Sequence, residues 1–432
     1  MIEAPTLNGS GRVINGALGD ARGATIMTPE NIATLLANDH KVKVAGLDSD
    51  GVLRGKVMSK EKFLVSIASG FAMSSAVFGW DMHDELYSSD TCITSAQEGY
   101  FELEFMNFQT PTADGYSEGD RSNHDIAAFL TKNSQKALRP LTSGMFAYSM
   151  TRPVANKDYF HQLFDYSEDM NCRVESWHTE SGPGVYEAAI KVSEVDEMAD
   201  KVALFKLLSK ATGIKYNITP CFMAKPIYGV PGSSGHIHVS LTDLEGKNLF
   251  ARDSPDLNPQ WRDIAYLSDL GRHFLAGLLD ALPDIMPMFA PTVNSYKRLI
   301  ENYWAPVDVS WGLEHRLASI RVITAPVCKP GATRFEVRLP GADLHPHYAL
   351  NAIVAAGWRG VKRKMEISIP PAGSRSPEDK AARLPKSLDE ALERFRAKGS
   401  VAREILDQDF VDFFAATRDH ELKLWREAVT DW

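Results

Sequence analysis

The chain has few cysteines, no long apolar run and no surplus of positive charge, and each lack removes a class of function. Its four cysteines, Cys92, Cys172, Cys221 and Cys328, lie far apart with no Cys-x-x-Cys pair. Neither a disulfide scaffold nor a zinc ribbon is therefore predicted, and the four read as buried thiols in a reducing compartment. No stretch reaches about 18 consecutive apolar residues. The start, Met1 to Met27, is rich in Gly and Ala without the basic-then-apolar order of a secretory signal. A cytosolic protein with no membrane segment is expected. The net charge of −9 and pI near 5.8 argue against a general nucleic-acid or anionic-membrane binder. Any anion bound here must meet a local cluster of Arg or Lys. There is no Gly-x-x-x-x-Gly-Lys-Ser/Thr loop, no internal repeat and no low-complexity tract.

What is present is ordinary in bulk: 432 residues, 44% apolar and 24% charged. That length predicts one large domain and one smaller one. Residues 1–27 read as a loose lead-in. Thr28-Pro-Glu-Asn31 opens a helix over Ile32–Ala37, with Thr28 as N-cap and Pro29 at the first helical position. Residues 41–58 read as a hairpin turning at Asp48-Ser-Asp-Gly51, and Ser59–Ser69 as a second short helix. From about residue 92 longer strands and helices alternate. Strands are predicted over Tyr100–Phe105, Arg173–His178, Val185–Val192, Lys215–Phe222, His236–Leu241 and Phe335–Leu339. Helices are predicted over Asp158–Asp169, Glu194–Ala211, Ile264–Ala281, Tyr348–Val361 and Leu388–Arg396. Thr212-Gly213 supplies a helix-ending glycine, Ser387-Leu-Asp-Glu390 a capping box, and Ile369–Lys386 an exposed loop.

Four segments share one design, polar side chains on one strand face and apolar ones on the other. In Gly232-Ser-Ser-Gly-His-Ile-His-Val-Ser240, His236 and His238 fall at i, i+2 and share a face. Gly232 and Gly235 mark a tight approach in which backbone amides come close to something. Glu102 and Glu104 alternate with Phe101, Leu103 and Phe105, and adjacent carboxylates on a β face repel unless a cation sits between them. Glu180 and Glu187 flank a Gly-Pro-Gly turn that can aim both at one divalent ion. Arg334-Phe-Glu-Val-Arg338 puts Arg, Glu and Arg on one face. Each segment alone also fits a plain exposed strand or a surface salt-bridge ladder. Together with Arg298, Arg316 and Arg321, the set is five glutamates, one or two histidines and five arginines. Divalent cations, a polyphosphate and a carboxylate substrate satisfy both signs of charge at once.

At this point the residues closely resemble the glutamine synthetase family. The matching segments are Lys225-Pro226 with Gly232–Ser240, Asn294-Ser-Tyr-Lys-Arg-Leu299 with Ala305-Pro306, Trp311–Arg321, Arg334–Arg338 and Glu180–Glu187, all in the family's order. The resemblance implies an α+β fold: a small β-grasp domain at 28–91 and a catalytic domain at 92–432 whose curved antiparallel sheet forms a funnel flanked by helices. It implies ATP with Mg²⁺ or Mn²⁺, and two steps in which ATP phosphorylates the γ-carboxylate of glutamate and an amine then displaces phosphate. By position, Glu104, Glu180 and Glu187 resemble ligands of the metal nearest glutamate, and Glu102, His236 and Glu336 those of the metal between the ATP phosphates. His238, Ser240, Arg321 and Arg334 fall where the family meets ATP, and Arg298 and Arg338 where it meets the glutamate carboxylates. Gly232 would offer backbone to the substrate amino group, and Arg316 would stabilise the transferring phosphoryl group. A ring-shaped homo-oligomer is implied as well.

Three departures bear on the acceptor and the architecture. Trp304 stands where ammonia-using members carry a flap glutamate, and Ala72 where an aspartate precedes Ser-Ser. Losing both removes the negative charge that ammonium needs, while an indole offers an apolar wall or a cation–π surface to a larger amine. Trp304 is thus a candidate substrate contact. Only about twenty residues separate Trp80 from Glu102, several times fewer than in relatives, which predicts a shortened N-terminal domain. Pro231 and Val185 replace a common asparagine and glutamine. No tyrosine lies in 369–386, so regulatory adenylylation is not expected. The leading expectation is an ATP-dependent γ-glutamyl ligase acting on ammonia or an organic amine. The competing one is a catalytically weak or silent family member with a structural or developmental role.

Overall fold

A computed structural model of the chain describes residues 29–69, 81–82, 87, 139–142, 144, 147–301, 305–376 and 382–429. Helix α1 (Pro29–Leu35) precedes a hairpin of β1 (Lys41–Leu47) and β2 (Leu53–Ser59), followed by α2 (Lys60–Ser69). The hairpin pairs Lys41 with Ser59 and Leu47 with Leu53. Its turn is built by Asp48, whose Oδ1 accepts from the amides of Asp50 (3.0 Å) and Val52 (2.8 Å), while Oδ2 accepts from Arg54 Nε at 2.8 Å. Gly51 supplies the positive φ of 75° that closes it.

After α3 (Lys157–Asp169) a second hairpin, β3 (Val174–Thr179) and β4 (Tyr186–Ile190), packs with α4 (Val195–Lys215). Their core gathers Tyr159, Phe160, Leu163, Phe205 and Leu208 against Trp177 and Tyr186. The strand predicted at Lys215–Phe222 does not form. Helix α4 runs on to Lys215, past the glycine expected to end it, and Asn217 takes the left-handed conformation at φ 54°. Gly213 instead lets the returning chain come close, since a Cβ there would lie 2.5 Å from the carbonyl oxygen of Ile218.

The central sheet has the order β5-β8-β7-β6, with β5 (Ile237–Val239), β6 (Trp311–Leu313), β7 (Ile320–Ile323) and β8 (Arg334–Val337). Strands β5, β8 and β7 pair antiparallel, but β6 joins β7 in parallel. The expected antiparallel sheet is therefore mixed at one edge among the described residues. Strands β6 and β7 are short and were not predicted, because three or four residues carry too little alternation to read.

Helix α5 (Asp269–Phe289) lies under this sheet, capped by Ser268, which accepts from Gly271 N at 3.0 Å. It starts later than predicted and continues through Pro283 and Pro287, where the sequence predicted a stop after Ala281. Each interior proline removes a helix hydrogen bond. That cost is offset because Ile285, Met286, Met288 and Phe289 are at most 1% exposed. Helices α6 (Val293–Tyr296), α7 (Pro346–Arg363), α8 (Leu388–Arg396), α9 (Val401–Ile405) and α10 (Gln408–Glu427) complete the fold. Helices α5 and α7 cross at Gly277 and Gly360, where a Cβ on Gly277 would lie 2.7 Å from the Cα of Gly360. Helix α8 starts at Ser387 as predicted, with Ser387 Oγ accepting from Glu390 N at 3.2 Å. The last two helices went unpredicted, though Ser400 and Asp407 cap them.

No helix among the described residues is long and apolar enough to cross a membrane. The cysteines are not uniformly buried as expected: Cys172 is, Cys328 is half-buried and Cys221 is exposed. The strand at Tyr100–Phe105, Cys92 and residues 1–27 lie outside the described residues.

Candidate active site

The sheet register builds the site. Pairing of β5 with β8 sets His238 opposite Glu336, and pairing of β7 with β8 sets Arg321 opposite the same glutamate. Phe335 and Val337 face the other way and are fully buried, so the predicted two-faced strand is present. Glu336 is only 3% exposed, which sets it apart from an exposed salt-bridge ladder. Its Oε2 accepts from Arg321 Nη1 at 2.8 Å. Its Oε1 accepts from Arg338 Nη1 and lies 3.3 Å from His236 Nδ1. His236 and His238 thus share a face, as their spacing predicted.

Burial, then the nearby Arg338 and Arg298, push the His236 pKa well below its ordinary range, and burial likewise lowers that of His238. Both rings are neutral at pH 7, the state in which imidazole has a lone pair to offer a metal. Arg334 Nε lies 3.1 Å from His238 Nδ1 and donates to it.

The predicted close approach at Gly232 and Gly235 serves the chain itself. A Cβ on Gly232 would lie 2.3 Å from Ala224 O and 3.0 Å from Arg298 Cγ. The amides of Ser233 and Gly235 donate to Ala224 O and Pro340 O, each at 2.8 Å. Asn294 clamps the neighbouring Lys225 on both sides of its backbone, at 2.8 and 3.0 Å, and so joins two of the recognised motifs.

The β3–β4 hairpin brings a second group together. His178 pairs in register with Glu187, and the turn between the strands closes through Val185 N to Gly182 O at 3.0 Å. His178 Nε2 lies 3.4 Å from Glu187 Oε1, and its Nδ1 lies 3.9 Å from Glu180 Oε1. One ligand atom from each of His178, Glu180 and Glu187 falls within 4.8 Å of the others. The turn does aim both glutamates at one point, as predicted, and adds a histidine that sequence reasoning missed. The i, i+2 spacing of His178 and Glu180 was the available signal. Tyr148 stacks on that imidazole at 4.1 Å. One nitrogen and two carboxylates fit a divalent cation such as Mn²⁺ or Mg²⁺. This turn sits beside the first motif: a Cβ on Gly182 would lie 3.4 Å from Pro231 O.

The remaining arginines differ in presentation. Arg298 is 4% exposed and donates to the carbonyls of Leu339 (2.9 Å) and Arg338 (3.1 Å). Burial lowers its pKa to about 10, partly offset by Asp343. Arg338 keeps a buried Nε without a hydrogen-bond partner. Arg316 and Ser240 are exposed. Glu314, also missed, accepts from Arg321 Nε at 3.2 Å and from its Nη2. Glu102, Glu104, Ala72 and Trp304 lie outside the described residues.

Residues 93–432 match the family model "Glutamine synthetase, catalytic domain". The chain is 35% identical to a Type-1 glutamine synthetase 2 from Dictyostelium discoideum, covering 90% of this chain and 82% of that protein. It is 30% identical to a glutamate–isopropylamine ligase from a Pseudomonas species, covering 91% of this chain and 94% of that one. Among solved structures, a GmaS structure without ligand superposes with a TM-score of 0.68 over 93% of this chain and 97% of that one, at 21% identity. The chain belongs to the glutamine synthetase family. It is an ATP-dependent ligase of the kind that joins glutamate to ammonia or an amine, and the family implies a divalent metal beside ATP.

Proposed function

We propose that this ligase forms a γ-glutamyl amide with an organic amine as its preferred acceptor. Replacement of the flap glutamate by Trp304 and of the N-terminal aspartate by Ala72 carries that choice. Without those acids ammonium has no counter-charge, whereas an alkylammonium can lie against an indole face. A Pseudomonas relative named for isopropylamine and a Streptomyces coelicolor relative named for γ-glutamylethanolamide fit the same reading.

In this reading Glu180, Glu187 and His178, with Glu104, hold one divalent cation, and Glu336, His236 and Glu102 hold another. The cations supply charge that offsets repulsion between two anionic substrates. Neutral His236 and His238 are ready to bind without losing a proton. Arg321, Arg334, His238 and Ser240 orient ATP. Arg298 and Arg338 receive the carboxylates of glutamate, the latter with a buried Nε that lacks a partner. Gly232 presents backbone to the substrate amino group, and exposed Arg316 meets the phosphoryl group in transfer. The hairpin of β1 and β2 belongs to a shortened β-grasp domain, residues 28–91 and 92–432 form the two domains, and copies assemble into a ring.

Glutamate-dependent ADP release with ammonium and a panel of alkylamines and amino alcohols tests the acceptor. An amine is expected to give the larger kcat/KM. Turnover with ammonium equal to every amine refutes the assignment, and no release with any acceptor points to the silent alternative.

A further inference from the structure

Arg321 is shared between two carboxylates, and the sharing is unequal. Its Nη1 donates to Glu336 Oε2 at 2.8 Å, while its Nε and Nη2 edge grips Glu314 Oε2. Both oxygens of Glu336 are engaged, since Oε1 accepts from Arg338. Glu314, in contrast, keeps Oε1 buried and without a hydrogen-bond partner. A buried carboxylate oxygen left unsatisfied is costly and calls for a reason. Glu314 also holds a left-handed backbone, φ 55°, that a glutamate adopts only when its surroundings impose it. Its amide donates to Val322 O at 3.0 Å, so the bend directly follows β6 and brings the carboxylate to Arg321 on β7.

We infer that Glu314 is a positioning residue that holds Arg321 off Glu336 when Glu336 binds a divalent cation. The inference rests on the cation reading of Glu336 given above. For Glu336 to face a cation, Oε2 must release Arg321 Nη1. The guanidinium then keeps Glu314, which it already grips through Nε and Nη2, as its remaining carboxylate partner. Without Glu314, Arg321 turns fully onto Glu336 Oε2, the oxygen it already meets, and competes with the cation there.

Mn²⁺ binding to the full chain, followed by electron paramagnetic resonance without nucleotide, tests this apart from turnover. Glu336→Gln should lose one bound Mn²⁺. Glu314→Gln should keep the number bound and weaken one site about 10–100-fold, as loss of a partner behind a metal ligand does. Glu314→Asp should recover part of the loss. Arg321→Gln removes the competitor and should tighten that site, and adding Glu314→Gln to it should change nothing further. Arg321→Gln carries the test should Glu314→Gln fail to fold. Unchanged affinity in Glu314→Gln, with a site lost in Glu336→Gln, overturns the role of Glu314 alone. Unchanged binding in Glu336→Gln overturns the cation reading beneath it.

Discussion

Arg418 on α10 fastens the N-terminal hairpin to the C-terminal helix, and replacing it with Met should release that hairpin. The Arg418 and Asp50 side chains pair at 2% and 3% exposure. Arg418 also donates to Pro291 O at 3.1 Å and lies 5.2 Å from the Phe414 ring. The Asp50 carboxylate also accepts from the hydroxyl of Tyr87 at 2.9 Å. Arg418→Met keeps most of the volume but strands a buried carboxylate, which costs about 3–5 kcal/mol. The loss falls on docking of β1 and β2, because Asp50 sits in their turn. Amide hydrogens of 41–59 report that docking directly by hydrogen exchange. At about 1.4 kcal/mol per factor of ten, their exchange should accelerate at least a hundredfold, while amides of α5 stay slow. Adding Asp50→Asn removes the stranded charge and should restore most of the protection, since replacing both members of a buried pair is often near neutral. Acceleration below about tenfold in Arg418→Met, or no recovery in the double variant, refutes the reasoning.

The same hairpin should loosen in acid. Burial, then neighbouring His347, lower the His345 pKa to about 4, and its Nε2 meets Asp48 O at 3.1 Å. The neutral ring is therefore favoured in the fold, so its contribution is complete above the unfolded value near 6.5 and fades as pH falls from there toward 4, on the order of 3 kcal/mol in all. Hydrogen exchange of 41–59 should follow that window in the native chain and lose the dependence in His345→Asn; an identical pH profile in the variant would show that another group is responsible. His178→Ala should weaken Mn²⁺ binding about 10–100-fold while the melting temperature moves by only a few degrees, and equal affinity by calorimetry would remove His178 from the site. Trp304→Glu should raise kcat/KM for ammonium over alkylamines about tenfold or more; an unchanged ratio in steady-state assays would detach the indole from acceptor choice.

Elements long enough to repeat their pattern were legible in the sequence. Helices α3, α7 and α8 fall close to their predicted spans, and alternation in 334–338 correctly buried Phe335 and Val337. The misses share a cause, tertiary context overriding a local signal. Pro283 reads as a stop, yet core burial carries α5 through it. Gly213 reads as an end, yet it serves a close contact inside α4. At the site, motif residues such as Glu336 and His236 came from the family resemblance together with face alternation. Glu314 was invisible, because its value lies in a left-handed bend and in a partner seven residues away. His178 was hidden for a milder reason: its partner Glu187 is set by hairpin register, which sequence spacing does not declare.

The charges in the sheet explain why an anion should complete this site. Around Glu336 and Glu314 stand Arg321 and Arg338, with Arg334 on His238 and Arg298 beneath Gly232. Among the described residues, four guanidinium groups meet three carboxylates, Glu336, Glu314 and the Asp343 whose charge acts on Arg298, so the assembled strand faces keep an excess of positive charge in a partly dehydrated setting. The strain shows in the arginines themselves. Burial lowers the pKa of Arg338 and Arg298 against the opposing pull of Glu336 and Asp343, and neighbouring arginines add to the lowering. An incoming carboxylate or phosphate would remove that repulsion, and the charge-assisted hydrogen bonds it makes are stronger where water is scarce. The same excess would oppose a cation at Glu336 unless arginine charge were held elsewhere. On the proposed reading Glu314 provides that place, which would let anion attraction and cation binding share one sheet without cancelling each other.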